Sequence, residues 1–372
     1  MQTQQPLAML GGLTASDFMQ RYWQKKPLLV RQAFPQFKPL LSRKQLFDLA
    51  ASPDVGSRLV QGRGRDWQMR HGPFNARKRP PFAQALWTLL VQGVDLHSHD
   101  AAQWLQNFRF VPDARLDDLM VSWASDGGGV GPHFDSYDVF LMQAHGQRRW
   151  RYGAQKDLSL QPGMPLKILS KFQPRWDVVL NPGDMLYLPP RYAHEGTAVG
   201  ECMTYSVGFR APGMAELGRD VLQRLSEQCE DELPARLYAD PQQAAVTHPA
   251  QMPAHLQVFA QNAVQQLMAK PSALHQALGE VLTEPKAQVW FEPQPPPKRI
   301  RAWTLDARSR MLYDDGHIYL NGESWRASGA DARLMRALAD QRRLNEAQWR
   351  TASPAAKALL REWGEQGWCH PF

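Results

Sequence analysis

From Asn107 to Gly208 the chain reads as short strands separated by turns. RRWRYG, WDVVLNPGDMLYLPP and MTYSVGF alternate apolar with polar residues and are punctuated by Pro and Gly. Many short antiparallel strands leave open edges unless the sheet closes on itself, so this segment predicts a jelly roll or barrel. After FRAPG the period changes. Met214, Leu217, Val221, Leu222 and Leu225 recur at helical spacing, as do Leu256, Phe259, Val264 and Leu267, and then Leu274, Leu278 and Val281. About three helices are expected there, the first two separated by the Pro-rich DPQQAAVTHPAQMP. FEPQPPPKR (291–299) reads as an extended linker into a third unit. In that unit RMLYDDGHIYLNGES predicts a hairpin turning at Asp315-Gly316, followed by an amphipathic helix on Leu334, Met335 and Leu338. The pattern is that of a small winged-helix-like module.

A chain of 372 residues exceeds the size at which one hydrophobic core keeps growing, so two or three domains are expected. No apolar run approaches the length needed to span a bilayer, and MQTQQPLAML lacks the basic-then-apolar order of a secretory signal. Cys202, Cys229 and Cys369 are odd in number and far apart, which argues against a disulfide framework or a cysteine zinc site. A reducing cytoplasm fits this usage. The net charge of +7 is concentrated at the ends: residues 1–100 carry fourteen Lys and Arg against six Asp. The sharpest basic stretch, GRGRDWQMRHGPFNARKRP (62–80), interleaves Trp67 and Phe74. It fits an RNA, DNA or nucleoprotein partner and a merely solubilising charge equally well, so direct nucleic-acid binding is not inferred from it.

Chemistry enters with GPHFDSYD. On a strand, residues i and i+2 leave the same face, so His133 and Asp135 can point at one ion. Eleven His and 23 Asp in 372 residues make about 0.7 chance HxD occurrences and the chain has one, so the pair alone decides nothing. A third ligand changes that. PGDMLYLPPRYAHEG offers a turn, a buried strand, a Pro-Pro bend and then His194, at the mouth of a neighbouring strand. Two His and one Asp suit a non-haem Fe(II) site with positions left for a co-substrate and dioxygen, and equally a zinc hydrolase. In HGQRRWRYG, Arg148, Trp150 and Tyr152 share one strand face. An inward guanidinium beside a metal calls for an acid, which a diacid co-substrate would supply; the competing partners are Asp126, Glu195 or solvent. His145 lies on the opposite parity only if the strand is continuous, and it is read as structural.

The order YWQKKPLLVRQAF, GPHFDSYDVFLMQAHGQRRWRYG, PGDMLYLPPRYAHEG and YSVGFRAP resembles the JmjC ribosomal oxygenases, and covers essentially the whole chain. These are 2-oxoglutarate-dependent hydroxylases. The resemblance is nearest to the bacterial branch that hydroxylates an arginine of large-subunit ribosomal protein L-sixteen. It implies an α+β fold: a double-stranded β-helix (jelly-roll, cupin-like) in a catalytic domain at 1–212, a helical dimerisation region at 213–284 and a winged-helix-like domain at 285–372. It implies Fe(II) on His133, Asp135 and His194, with 2-oxoglutarate held at its distal carboxylate by Arg148 and consumed with O2. A hydroxyl associated with the co-substrate pocket falls on Ala124 here, which leaves Ser122 or Thr204 to serve. The implied partners are the ribosomal protein and a second copy of the chain, in the cytoplasm and away from membranes.

A cationic substrate needs acceptors, and Asp118, with its neighbour Asp117, Tyr137 and Ser206 are the candidates; each also has a plain reading as a turn, rim or strand residue. Competing functions are a histidyl hydroxylase of another ribosomal protein, a cupin-type metal isomerase with no use for Arg148, and a nucleic-acid-binding regulator reading through ADARLMRALADQRR.

Overall fold

The alternating runs form strands where they were expected. The computed structural model describes residues 3–64, 66–229, 233–293, 295 and 299–372; Arg65, in the basic stretch, and positions 294 and 296–298 of the linker lie outside them. The chain divides between Ala211 and Pro212 into two compact units.

In the first unit the strands are β1 (Leu28–Val30), β2 (Ser57–Arg63), β3 (Asp66–His71), β4 (Trp87–Val91), β5 (Leu116–Ala124), β6 (Val139–Gly153), β7 (Trp176–Leu180), β8 (Met185–Leu188) and β9 (Ala193–Phe209). They pair in the order β1-β8-β6-β9-β5-β4-β2-β3, with β7 also on β6, and every pairing is antiparallel. This is the jelly-roll arrangement of a cupin. The N-terminal helix Ala15–Arg21, capped by the Thr14 hydroxyl on Asp17 N, seats Phe18 edge-on against Tyr187. On the other flank the helix Arg43–Ala51, started by a Ser42/Gln45 capping box, lays Phe47 against Trp87 and Trp123, whose rings lie 4.6 Å apart. Each fully buried indole removes roughly 200 Å² from water, about 5 kcal/mol of gross stabilisation, so these aromatics brace the back of the barrel.

β6 changes phase along its length. Val139 and Leu141, at odd positions, face the barrel interior, and so do Arg148 and Trp150, at even ones. Between them the pairing with β9 slips twice, at Gln143/His145 and at His145/Gln147. Gly146 makes the slip feasible: its φ is 62°, and a Cβ there would lie 2.1 Å from the Glu201 carbonyl oxygen. The bulge is pinned from β8's side, where Gln143 N donates to Asp184 O at 2.9 Å and Gly183 N donates to Gln143 O at 2.9 Å. The strand is therefore not continuous in register, and the exposed His145 sits on the bulge.

The second unit begins with the helices Met214–Glu227, Ala254–Met268 and Pro271–Thr283, which bury Val221, Leu225, Leu267, Ala273 and Ala277 together. Beyond them lie two three-stranded sheets: β10 (Trp303–Leu305) between β14 (Arg343–Leu344) and β15 (Cys369–Pro371), and β11 (Met311–Tyr313), β12 (His317–Leu320) and β13 (Glu323–Arg326). The expected hairpin is β11–β12, closed by Asp314, whose carboxylate accepts from Gly316 N and His317 N. The third strand was not foreseen, although its signal stood in the sequence: Asn321-Gly322, both at positive φ, is a two-residue hairpin turn. The helices Gly329–Gln341, Glu346–Thr351 and Pro354–Glu365 pack on Trp303, Trp349 and Trp363, with Leu334, Met335 and Leu338 on the apolar stripe as expected.

Candidate metal centre

His133 and His194 are brought together by the backbone. Each donates its N–H to the other's carbonyl, His133 N to His194 O at 2.9 Å and His194 N to His133 O at 2.8 Å, which brings the ring centroids within 4.2 Å, the planes tilted by 57°. The Pro189-Pro190 bend makes this pairing possible. After it Arg191 adopts a left-handed φ of 65° and donates its N–H to Asp135 O at 2.7 Å, so the segment before β9 is tied to the HxD loop. Ligand atoms of His133, Asp135 and His194 all lie within 4.8 Å of one another, and His194 Nε2 stands 3.6 Å from Asp135 Oδ2.

The chemistry of the donors suits a divalent ion. His133 Nδ1 lies 2.9 Å from Gly131 O and His194 Nδ1 2.9 Å from Tyr192 O, so each Nδ1 carries the proton and each Nε2 offers a lone pair. Burial, reinforced by the neighbouring His133, pulls His194 down to about 4, so its imidazole is neutral at physiological pH. Two imidazoles and a carboxylate on one face form the facial set of non-haem iron sites.

A cavity of about 600 Å³ opens from this centre. Its polar lining comes from alternate residues of adjacent strands: Asp118 and Ser122 on β5, Thr204 and Ser206 on β9, Arg148 on β6, with Tyr137 at the rim. Arg148 is 4% exposed, and its terminal nitrogen donates to the Ser122 hydroxyl at 3.1 Å and the Thr204 hydroxyl at 3.3 Å. Its Nε is buried without a hydrogen-bond partner, and burial lowers the guanidinium from its ordinary value. Neither competing carboxylate reaches it: Asp126 accepts from Gly200 N, and Glu195 is paired with Arg151. A buried guanidinium oriented by two hydroxyls, whose charge no carboxylate among the described residues neutralises, is a cradle for a carboxylate.

The sequence reading left out two residues that shape this cradle. Gln143 is fully buried and accepts from the Thr204 hydroxyl at 2.9 Å, and its amide also spans the bulge to His145 O at 2.8 Å. Gly196 leaves the space that Arg148 fills, since a Cβ there would lie 2.9 Å from Arg148 Nε and 2.7 Å from the Trp150 ring. Neither was legible without the bulge. Ala124, fully buried, packs with Ala198 and Cys202.

The substrate candidates lie on the cavity wall or rim. Asp118 is on β5 and accepts from Gly93 N at 2.9 Å, Asp117 faces Arg210 at 3.5 Å, and neither belongs to a solvated turn. The Tyr137 phenol hydrogen-bonds Asp135; burial, with Asp135 and Asp118 nearby, holds it well above its ordinary value, so it remains protonated. Ser206 is 8% exposed and sits opposite Met120.

The JmjC domain family matches residues 103–217, and the ROXA-like winged helix family matches residues 265–370. Over 322 residues the chain is 37% identical to the ribosomal protein uL16 3-hydroxylase of Escherichia coli, covering 82% of this chain and 84% of that one. A probable ribosomal oxygenase of Haemophilus influenzae is 37% identical over 209 residues, 55% of this chain and 52% of the other. The solved structure of YcfD, a ribosomal oxygenase from Escherichia coli, matches with a TM-score of 0.80 at 32% identity over 96% of this chain and 98% of that one. A YcfD complex with cobalt and 2-oxoglutarate matches with a TM-score of 0.79 at 31% identity, over 96% and 98% of the two chains.

Proposed function

The chain belongs to the JmjC ribosomal oxygenases, the family of the ribosomal protein uL16 3-hydroxylase, and from that membership we propose that it hydroxylates an arginine side chain of uL16 (protein L-sixteen), using Fe(II), 2-oxoglutarate and O2. One observation carries the reading: the convergent His133, Asp135 and His194 share a cavity with a buried Arg148 that has no carboxylate partner among the described residues. An isomerase would have no use for that charge.

Fe(II) with 2-oxoglutarate supplies the oxidation: the oxoacid loses CO2 to give succinate, one oxygen atom of O2 entering the succinate and the other the substrate C–H bond. The protein's part is positional. The two histidines and Asp135 would hold the ion, their Nδ1–H groups locked to carbonyls so that the lone pairs stay aimed. Arg148, oriented by Ser122 and Thr204, would grip the distal carboxylate of the co-substrate. Asp118, the Tyr137 oxygen and Ser206 would take the guanidinium of the target, leaving its aliphatic carbons towards the metal. The apolar wall of Leu90, Met120, Val139 and Leu141 excludes water from that stem. To test the reading, matched arginine- and histidine-containing loop peptides are incubated with the enzyme, Fe(II) and 2-oxoglutarate. Mass spectrometry should find one added oxygen on the arginine peptide; oxidation of the histidine peptide alone would move the chain to the histidyl branch.

The reading carries three further assignments: a catalytic region at 1–212, a dimerising one at 213–284 and a winged-helix one at 285–372, in a cytoplasmic protein. Among the described residues no helix is long and apolar enough to cross a membrane. Exposed Met214, Leu222, Val258, Val264 and Met268 support a symmetric dimer through the helices of the middle region. Light scattering at micromolar concentration should give the mass of two chains; a monomer there would refute it. The regulator alternative loses ground, because two of the four arginines in 330–343 are tied to carbonyls, Arg336 to Asp314 and Asp315, and Arg342 to Asp306 and Ser309.

A further inference from the structure

The catalytic cavity holds a second guanidinium that the mechanism above leaves without a task. Arg58, on β2, lines the same cavity as Asp118, Met120 and Tyr137. It lies opposite Leu90 of β4, which is itself opposite Ser122 of β5, so it sits two strands from the co-substrate cradle. Its Nε is buried and has no hydrogen-bond partner. Among the described residues its one hydrogen-bond contact is from a terminal nitrogen to the sulfur of Met120, at 4.0 Å, a weak acceptor, and its charge is felt by the Tyr137 phenol. Among the described residues no carboxylate lies within ion-pair distance of it.

That arrangement is costly twice over. A guanidinium whose buried Nε has no acceptor among the described residues forfeits a hydrogen bond that water would have given it. It also stands in a cavity that, on the reading above, must admit another guanidinium, which it repels. Both costs fall if the arginine is turned to an oxygen acceptor that arrives with the substrate. The co-substrate does not supply one, since its two carboxylates would be taken by the metal and by Arg148. The remaining source is the polypeptide that carries the target side chain.

Resting on the reading that a protein loop presents an arginine here, we propose that Arg58 is a substrate-positioning residue that grips an oxygen acceptor of the substrate chain next to the target. Asp118 holds the cationic tip while Arg58 holds the chain that bears it, and the two contacts together fix which C–H faces the metal. The acceptor is a main-chain carbonyl or a flanking acidic side chain, and the planar fork of a guanidinium serves either.

The test uses the full-length enzyme with Fe(II), 2-oxoglutarate and two versions of the loop peptide, one with carboxylate side chains flanking the target and one with the corresponding amides. Arg58→Met should raise KM for the peptide about 10- to 100-fold, as loss of a hydrogen bond to a charged group does. KM for 2-oxoglutarate should stay within about twofold, because Arg148 is untouched. More succinate should form per hydroxylated peptide, because a loosely held target lets turnover uncouple. Arg58→Lys should restore part of the peptide affinity, and Arg58→Gln, neutral and polar, should not. A loss shared by both peptides assigns the acceptor to the main chain; a loss confined to the carboxylate peptide assigns it to the acid. A folded Arg58→Met or Arg58→Gln protein with unchanged peptide KM would overturn the proposal, as would a rise in 2-oxoglutarate KM instead. The KM split is read on whichever loop peptide the wild-type chain turns over, so a wrong target residue and a wrong role for Arg58 give different results.

Discussion

Asp135→Ala should lower hydroxylation by about a thousandfold or more, because a correctly held metal contributes several kcal/mol and the only carboxylate of the set is removed. Isothermal titration with Fe(II), or with Co(II) as an air-stable probe, should show the matching loss of metal affinity. Retained metal binding with full activity would show that the ion sits elsewhere. The same site has a pH signature. His194 is held neutral, with its value at about 4 against an ordinary 6.5. The unfolded chain therefore takes up a proton on this residue before the folded one does. The stability it contributes is complete above 6.5 and is lost as the pH falls towards 4. Bound metal should add stability at neutral pH that fades as the pH falls, since the proton competes with it for the same Nε2. Thermal melts between pH 7 and 4, with and without metal, measure both; melts indifferent to metal throughout would contradict the assignment.

Arg148→Met should separate the co-substrate from the metal. The stem is kept, the hydroxyls of Ser122 and Thr204 lose a donor, and the distal carboxylate loses its charged partner. A buried charged hydrogen-bond pair is worth about 2–5 kcal/mol, so KM for 2-oxoglutarate should rise by about a hundredfold, with metal affinity within a few-fold of wild type. The substitution also removes an uncompensated charge from the apo protein, so the variant should melt no lower than wild type. Unchanged co-substrate affinity would return Arg148 to a purely structural role.

What could be read from the sequence was whatever depends on local period or on a short motif. The strand runs, the three helices after FRAPG and the hairpin at Asp315-Gly316 follow from alternation and turn chemistry, which act over a few residues. The metal set was legible because an HxD motif and a histidine after a Pro-Pro bend are local signals, and resemblance joined them; the strand expected for HxD is instead a loop, which a single bridge from His133 to His194 holds in place. Register was not legible. Gln143 and Gly196 matter through what stands across from them, and that depends on a slip in pairing that leaves only one trace in the sequence, Gly146. Arg58 stayed hidden for a similar reason. It was one of fourteen basic residues in the first hundred, and only the barrel separates the one facing the cavity from those facing water.

The slip in β6 works as a phase switch between two halves of one strand. Residues before it are in step with the substrate wall, and residues after it are in step with the co-substrate cradle. A gain or loss of a single residue between Gln143 and Gln147 would rotate everything downstream by half a turn. It would put Arg149 and Arg151 inside and Arg148 outside, while the loop that carries His133 and Asp135, upstream of the switch, kept its place. The slip thereby sets the phase of the co-substrate cradle separately from the HxD loop, while His194, carried by β9 opposite Tyr152, ties the metal set to the downstream half.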